Sequence, residues 1–217
     1  MFIELVDSLR CLADHEETWL VAAVTRMDGR HIVDGILGCP ICKREYRVVD
    51  GVAWFTTSGE PSPAGLTPPG GPAHEDLVLR AAALMGLTDA GGIVCVGGPW
   101  VACADALAEL GPAHVVTLTA QARPSGAGAE AVSALVVDDR LPFGTGAVRA
   151  VALGAELATG ALVRSAVSVL RSRGRLVAPA DSGVPDGVTE LARDETDWVA
   201  ERVAVASMPV ALRSARR

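Results

Sequence analysis

The chain of 217 residues carries a formal charge of −7 and is 50% hydrophobic but only 4% aromatic. A chain of this size can bury a core, here mainly of Ala, Val and Leu. Its acidic balance argues against a nucleic-acid protein held by overall charge, and no run of about 18 apolar residues offers a membrane-spanning helix.

The N-terminus, "MFIELVDSLRC", starts with acids and lacks a basic, cleavable leader, so the cytoplasm is the expected compartment. The five cysteines are then expected as reduced thiols or metal ligands, not disulfides. "FIELVDSLRC" predicts a short helix ending at Cys11. "TWLVAAVTRMDGRHIVDGILGC" predicts two strands joined at "MDG". A hairpin brings its ends together, so Cys11 before it should meet Cys39 and Cys42 after it. Three thiolates need a fourth partner for a closed tetrahedral site. "RCLADHEE" offers the His15 imidazole or the Asp14 carboxylate. Cys11, His15, Cys39 and Cys42 would form a Cys₃His structural zinc site, the metal stapling a module too small to bury much core alone.

Residues 56–74, "TTSGEPSPAGLTPPGGPAH", are dense in Pro, Gly and Ser and read as a linker. They divide the chain into a module at 1–55 and a second at 75–217. The apolar "GVAWF" before the linker is the expected contact between the two, with Trp54 and Phe55 as anchors.

The second module alternates its patterns. Helical spacing occurs at 75–87, 100–110 and 158–174, the last with Gly174 at its end. Strands are expected at 91–99, 113–120, 132–139, 147–154 and 175–180, and "DWVAERVAVASMPVALRSA" reads as two further strands close in sequence. Near-continuous apolar strands alternating with helices imply a parallel sheet covered on both faces.

Two resemblances follow from these residues. "LRC…DGILGCPICKREYRVVDGV" resembles the small zinc-ribbon family that activates methyltransferases, which includes the tRNA-methyltransferase activator subunit. The first knuckle of that family has a second cysteine where this chain has Asp14. "DDRLPFGTGAVRAVALG" and "LVRSAVSVLRSRGRLVAPA" resemble class I S-adenosylmethionine-dependent methyltransferases. Together these imply an α/β fold: a Rossmann-like, methyltransferase-type, mostly parallel sheet with antiparallel C-terminal strands, preceded by a small zinc-ribbon β-hairpin module.

The second resemblance implies S-adenosylmethionine as cofactor and places its contacts at Gly97, Gly98, Thr119, Asp138 and Asp139. The chain departs from the family pattern at several of these. Cys95 stands in place of an acid on the first strand, Pro99 and Trp100 follow the two glycines, and Thr119 replaces the ribose-binding carboxylate. Proline removes an amide donor, and a hydroxyl cannot accept the paired hydrogen bonds of a carboxylate. Trp100 is expected to plug the cofactor space. No catalytic set is visible: His74 and His114 are isolated, and Cys95 and Cys103 sit on buried-looking faces. Three functions remain open. One is a non-catalytic binding or regulatory protein with a protein partner or self-association. The others are an active methyltransferase with an atypical loop, and a zinc-ribbon scaffold that docks another enzyme.

Overall fold

The computed structural model describes residues 1–56, 74–88, 91–111, 114–119 and 132–204. Most of the expected linker, the Gly/Ala-rich stretch at 123–131 and the strand expected near the C-terminus lie outside the described residues.

A single 3-10 turn at Ile3–Ser8 replaces the short N-terminal helix expected from the sequence. The hairpin follows as β1 (Val21–Asp28) and β2 (His31–Gly38), antiparallel around Gly29, whose φ of 55° suits a residue without Cβ. Next come β3 (Glu45–Val49) and β4 (Val52–Phe55), joined antiparallel through Asp50 and Gly51, both left-handed. Then follow α1 (Glu75–Met85), β5 (Ile93–Gly97), α2 (Ala104–Glu109), β6 (His114–Thr119), β7 (Val132–Val137), β8 (Val148–Ala152), α3 (Gly160–Val169), β9 (Leu170–Pro179), β10 (Val188–Arg193) and β11 (Asp197–Arg202).

All eleven strands form one sheet in the order β1-β2-β3-β4-β7-β6-β5-β8-β9-β11-β10. From β7 to β9 the neighbours are parallel, and β11 inserts antiparallel between β9 and β10. This is a Rossmann-like α/β sheet with an antiparallel C-terminal pair. The order reverses between β5 and β8, and an open α/β sheet binds ligands at such a reversal.

The N-terminal strands extend this sheet. β4 runs parallel to β7, with Val52–Phe55 opposite Ala134–Val137, so "VAWF" is the joint itself. The segment before the hairpin reinforces it. Phe2 N–H donates to Ser133 Oγ at 2.9 Å, Arg10 N–H to Pro142 O at 2.9 Å and Gly144 N–H to Ser8 O at 3.1 Å. Leu9, fully buried, bridges to Phe143. Covering the β7 edge satisfies backbone groups that would otherwise invite another strand.

Two cores flank the sheet. One holds Leu9, Leu37, Tyr46, Phe55, Leu135 and Trp198 with the buried side of α3. The other lies beneath α1 and α2. The thiols of Cys95 and Cys103 are buried as expected, and burial raises both pKa values, so neither is a ready nucleophile.

Three expectations need correcting. The helix expected over 158–174 stops at Val169, because Leu170 turns extended, is fully buried and pairs with Val148. Four residues then loop out before Arg175 pairs with Ala150, and Arg173 takes a φ of 62°. Gly174 therefore ends no helix. A Cβ there would meet Arg171 O at 2.8 Å and Arg149 O at 2.9 Å, so the bulge itself requires glycine. Both antiparallel partners of β11, β9 and β10, precede it; "VTELAR" is mostly exposed and gave little signal. Trp100, expected to plug the cofactor space, is instead a core side chain: it is 3% exposed and belongs to the cluster that holds Val78, Ala81 and Met85 of α1.

Candidate metal centre and cofactor crevice

The two ends of the hairpin converge on a Cys₃His cluster. One ligand atom each from Cys11, His15, Cys39 and Cys42 lie within 4.8 Å of one another. Cys11 Sγ is 3.7 Å from Cys42 Sγ, and Cys39 Sγ is 3.4 Å from His15 Nε2. Zinc bonds of about 2.3 Å to sulfur and about 2.0–2.1 Å to nitrogen, at tetrahedral angles, place sulfurs ~3.8 Å apart and sulfur from nitrogen ~3.5 Å. The residues present therefore fit a tetrahedral zinc ion.

Local geometry explains the fit. Lys43 N–H donates to Cys39 O at 3.1 Å and Cys39 N–H to Arg44 O at 2.9 Å, folding "CPICK" into a tight turn closed by a left-handed Lys43. Cys11 is set by Cys11 N–H donating to Thr18 O at 3.0 Å. The His15 ring bonds through Nδ1 to Glu16 O at 2.7 Å, leaving the Nε2 lone pair toward the sulfurs, as in many zinc sites. Asp14, the other sequence candidate, turns away: its carboxylate pairs with Arg140 Nη1 at 3.2 Å.

Charge is tuned across the cluster. Donation from the Arg44 backbone N–H pulls the exposed Cys42 thiol down to about 6, while burial pushes the Cys11 thiol up. The Glu16 carbonyl raises the His15 pKa.

Sequence reasoning missed Tyr46. Its ring is buried against Phe55, with centroids 4.7 Å apart. Its hydroxyl accepts from Leu12 N–H at 2.9 Å and lies 3.4 Å from Cys11 Sγ. Burial, first, pushes its pKa up to about 12. The available signal was its place as the only tyrosine of the chain, at an inward position of the strand after "CPIC".

The residues predicted for the cofactor lie at the carboxyl ends of the neighbouring parallel strands β5, β6 and β7. Gly97 and Gly98 end β5, and Gly98 adopts φ 66°. Neither position has room for a Cβ. A Cβ on Gly97 would lie 2.4 Å from the buried Leu157 side chain, and one on Gly98 would lie 2.6 Å from Gly154 Cα. The turn after β8, closed by Leu157 N–H and Ala158 N–H donating to Gly154 O, thus rests directly on the glycine loop. Thr119 ends β6, half-buried. Asp138 and Asp139 lie beyond β7, exposed, and line a groove of about 230 Å³ instead. Leu12, Asp14, Arg44, Thr56 and Arg140 line the same groove, so both parts of the chain build it.

No family model matches the sequence, and no curated protein does. Similar solved structures are methyltransferases by name. The antibiotic-resistance methyltransferase Kmr is 14% identical with a TM-score of 0.40, over 59% of this chain and 93% of that one. A putative S-adenosyl-L-methionine-dependent methyltransferase from Methanococcus maripaludis is 10% identical with a TM-score of 0.43, over 61% and 86%. The geranyl diphosphate C-methyltransferase of Streptomyces coelicolor is 18% identical with a TM-score of 0.38, and this chain spans 52% of its length. The fold assignment rests on the strand order above. Among the described residues no helix is long and apolar enough to cross a membrane.

Proposed function

We propose that this chain is a non-catalytic protein of methyltransferase fold, a binding or regulatory partner for another protein, whose zinc-stapled N-terminal ribbon completes its own sheet edge. One observation supports the reading: the turn at Gly154–Leu157 packs so closely on the glycine loop that a Cβ on Gly97 would lie 2.4 Å from Leu157 and one on Gly98 2.6 Å from Gly154 Cα. Cys95 and Thr119 stand in place of two acids, and a thiol or hydroxyl cannot accept the paired hydrogen bonds with which a carboxylate holds the ribose of S-adenosylmethionine. Calorimetric titration with S-adenosylmethionine and S-adenosylhomocysteine should give no binding heat. A low-micromolar dissociation constant would overturn this reading and restore an active methyltransferase. That second reading draws on the groove at Asp138 and Asp139, but about 230 Å³ is below the roughly 300–1,000 Å³ usual for ligand pockets.

Zinc in this proposal is structural. Four protein ligands close the tetrahedron and leave no open position for substrate. Elemental analysis of protein purified without added metal should find one zinc per chain. Accessible thiols at Cys42 suit the reducing cytoplasm, where we place the protein.

A further inference from the structure

The sulfurs of the cluster are not equivalent. Cys42 is exposed at the tip of the turn, Cys11 is half-buried, and Cys39 is 2% exposed and faces His15. The sulfur of Cys11 lies 3.7 Å from that of Cys42. A disulfide needs those atoms to close to about 2.05 Å. Cys42 sits in the tight turn of "CPICK" and Cys11 at the end of the strap before the hairpin.

We propose that Cys42 is an oxidation site for peroxides, resolved by Cys11 as a disulfide that expels the metal; the proposal rests on the zinc reading above. The Cys42 thiolate attacks one oxygen of hydrogen peroxide, the O–O bond breaks, and hydroxide leaves. This gives a sulfenic acid at Cys42. The Cys11 thiolate then attacks that sulfur and displaces a second hydroxide, forming the S–S bond. Two thiolates lose two electrons, and with two protons the peroxide becomes two waters. Zinc is left with Cys39 and His15 alone, too few ligands to retain it against water or a chelator. The new bond joins the same chain ends that the metal joined, so it replaces one staple by another. Cys95 and Cys103 are buried away from this chemistry.

The test uses the full chain. Metal content is measured first, because absence of zinc would count against the zinc reading while leaving the disulfide measurable on the metal-free protein. Hydrogen peroxide is then added with a chromophoric zinc chelator, and linkages are mapped by mass spectrometry under non-reducing conditions. One zinc released per Cys11–Cys42 disulfide is expected, reversed by dithiothreitol plus zinc. The oxidised protein should melt closer to the zinc-loaded form than to the reduced, chelated form. Cys95→Ala with Cys103→Ala should leave release unchanged. A Cys39–Cys42 linkage, over-oxidation of Cys42 with no disulfide, or retention of zinc after Cys42 is oxidised would each overturn the proposal. The wild-type linkage map decides even where Cys42→Ser fails to fold.

Discussion

At the scale of single residues, the cluster separates neighbours that look interchangeable in sequence. His15 turns its Nε2 to Cys39 Sγ, whereas Asp14 leaves to meet Arg140. His15→Ala should therefore weaken zinc affinity by about 100-fold or more, since even loss of an outer partner typically costs 10–100-fold. Asp14→Ala should leave affinity nearly unchanged, and a competitive chelator titration of the two variants measures the contrast. Tyr46→Phe keeps the buried ring but removes the hydroxyl that receives Leu12 N–H and approaches Cys11. It should cost about 1–3 kcal/mol, because a buried donor is left unmade, read by denaturant unfolding of the zinc-loaded protein. The spacing around the hairpin picked out the cysteines, but nothing in "DHEE" decides which side chain faces them. That choice depends on where Arg140 stands, far along the chain.

At the scale of elements, two joints are open to test. The first is the contact of the N-terminal strap with β6 and β7. His114 stacks on Phe2 with centroids 5.1 Å apart and bonds through Nε2 to Ser133 Oγ at 2.9 Å. Burial, then the nearby His31 and the Met1 amine, depress its pKa from 6.5 to about 4. A depressed value means the unfolded chain takes up the proton first, so the contribution is present above about pH 6.5 and lost as pH falls toward 4. Denaturant midpoints at pH 7 and pH 5 should show the fall, and His114→Asn should flatten it. The second joint is the C-terminal end of α1. Arg175 donates to Ala83 O and Leu84 O, and the buried Arg149 to Gly86 O and Gly91 O. These guanidinium groups satisfy terminal carbonyls and face the negative end of the helix. The bulge that aligns Arg175 needs Gly174. Gly174→Ala should cost about 1–3 kcal/mol through backbone displacement, as overpacking does, checked by thermal unfolding.

At the scale of the whole molecule, the ribbon and the larger α/β part share one sheet. The β4–β7 joint and the bonds from Phe2 and Arg10 tie the segments that carry the Cys₃His cluster to the long sheet's edge. Removing zinc with a strong chelator under reducing conditions should unfold the ribbon and uncover β7, since metal binding supplies folding energy in such small units. Hydrogen exchange should then rise in β4 and β7 while β8 and β9 stay protected; unchanged exchange in β7 would show that the joint does not depend on metal. Trp100 belongs to this scale too. Trp100→Ala should cost about 3–5 kcal/mol by emptying the core beneath α1 and should not create cofactor binding. The side chain that covers Gly97 is Leu157.

Sequence by itself determined what depends on local order. Apolar runs of five or six residues between turn signals located β5 to β8, because a strand buried on both faces must be apolar throughout. The spacing of Cys11, Cys39 and Cys42 around a hairpin located the cluster, because a hairpin returns the chain to its start. Tertiary structure decided the rest. The extent of α3 was lost to Leu170, whose pairing with Val148 outweighs helix propensity in "RSRG". The place of β10 was hidden because its mostly exposed residues record no buried face. The close packing on Gly97 and Gly98 comes from Gly154 and Leu157, which reach β5 because β8 is its parallel neighbour. Contacts between residues more than fifty positions apart leave no periodicity in the sequence, so only the folded sheet reveals them.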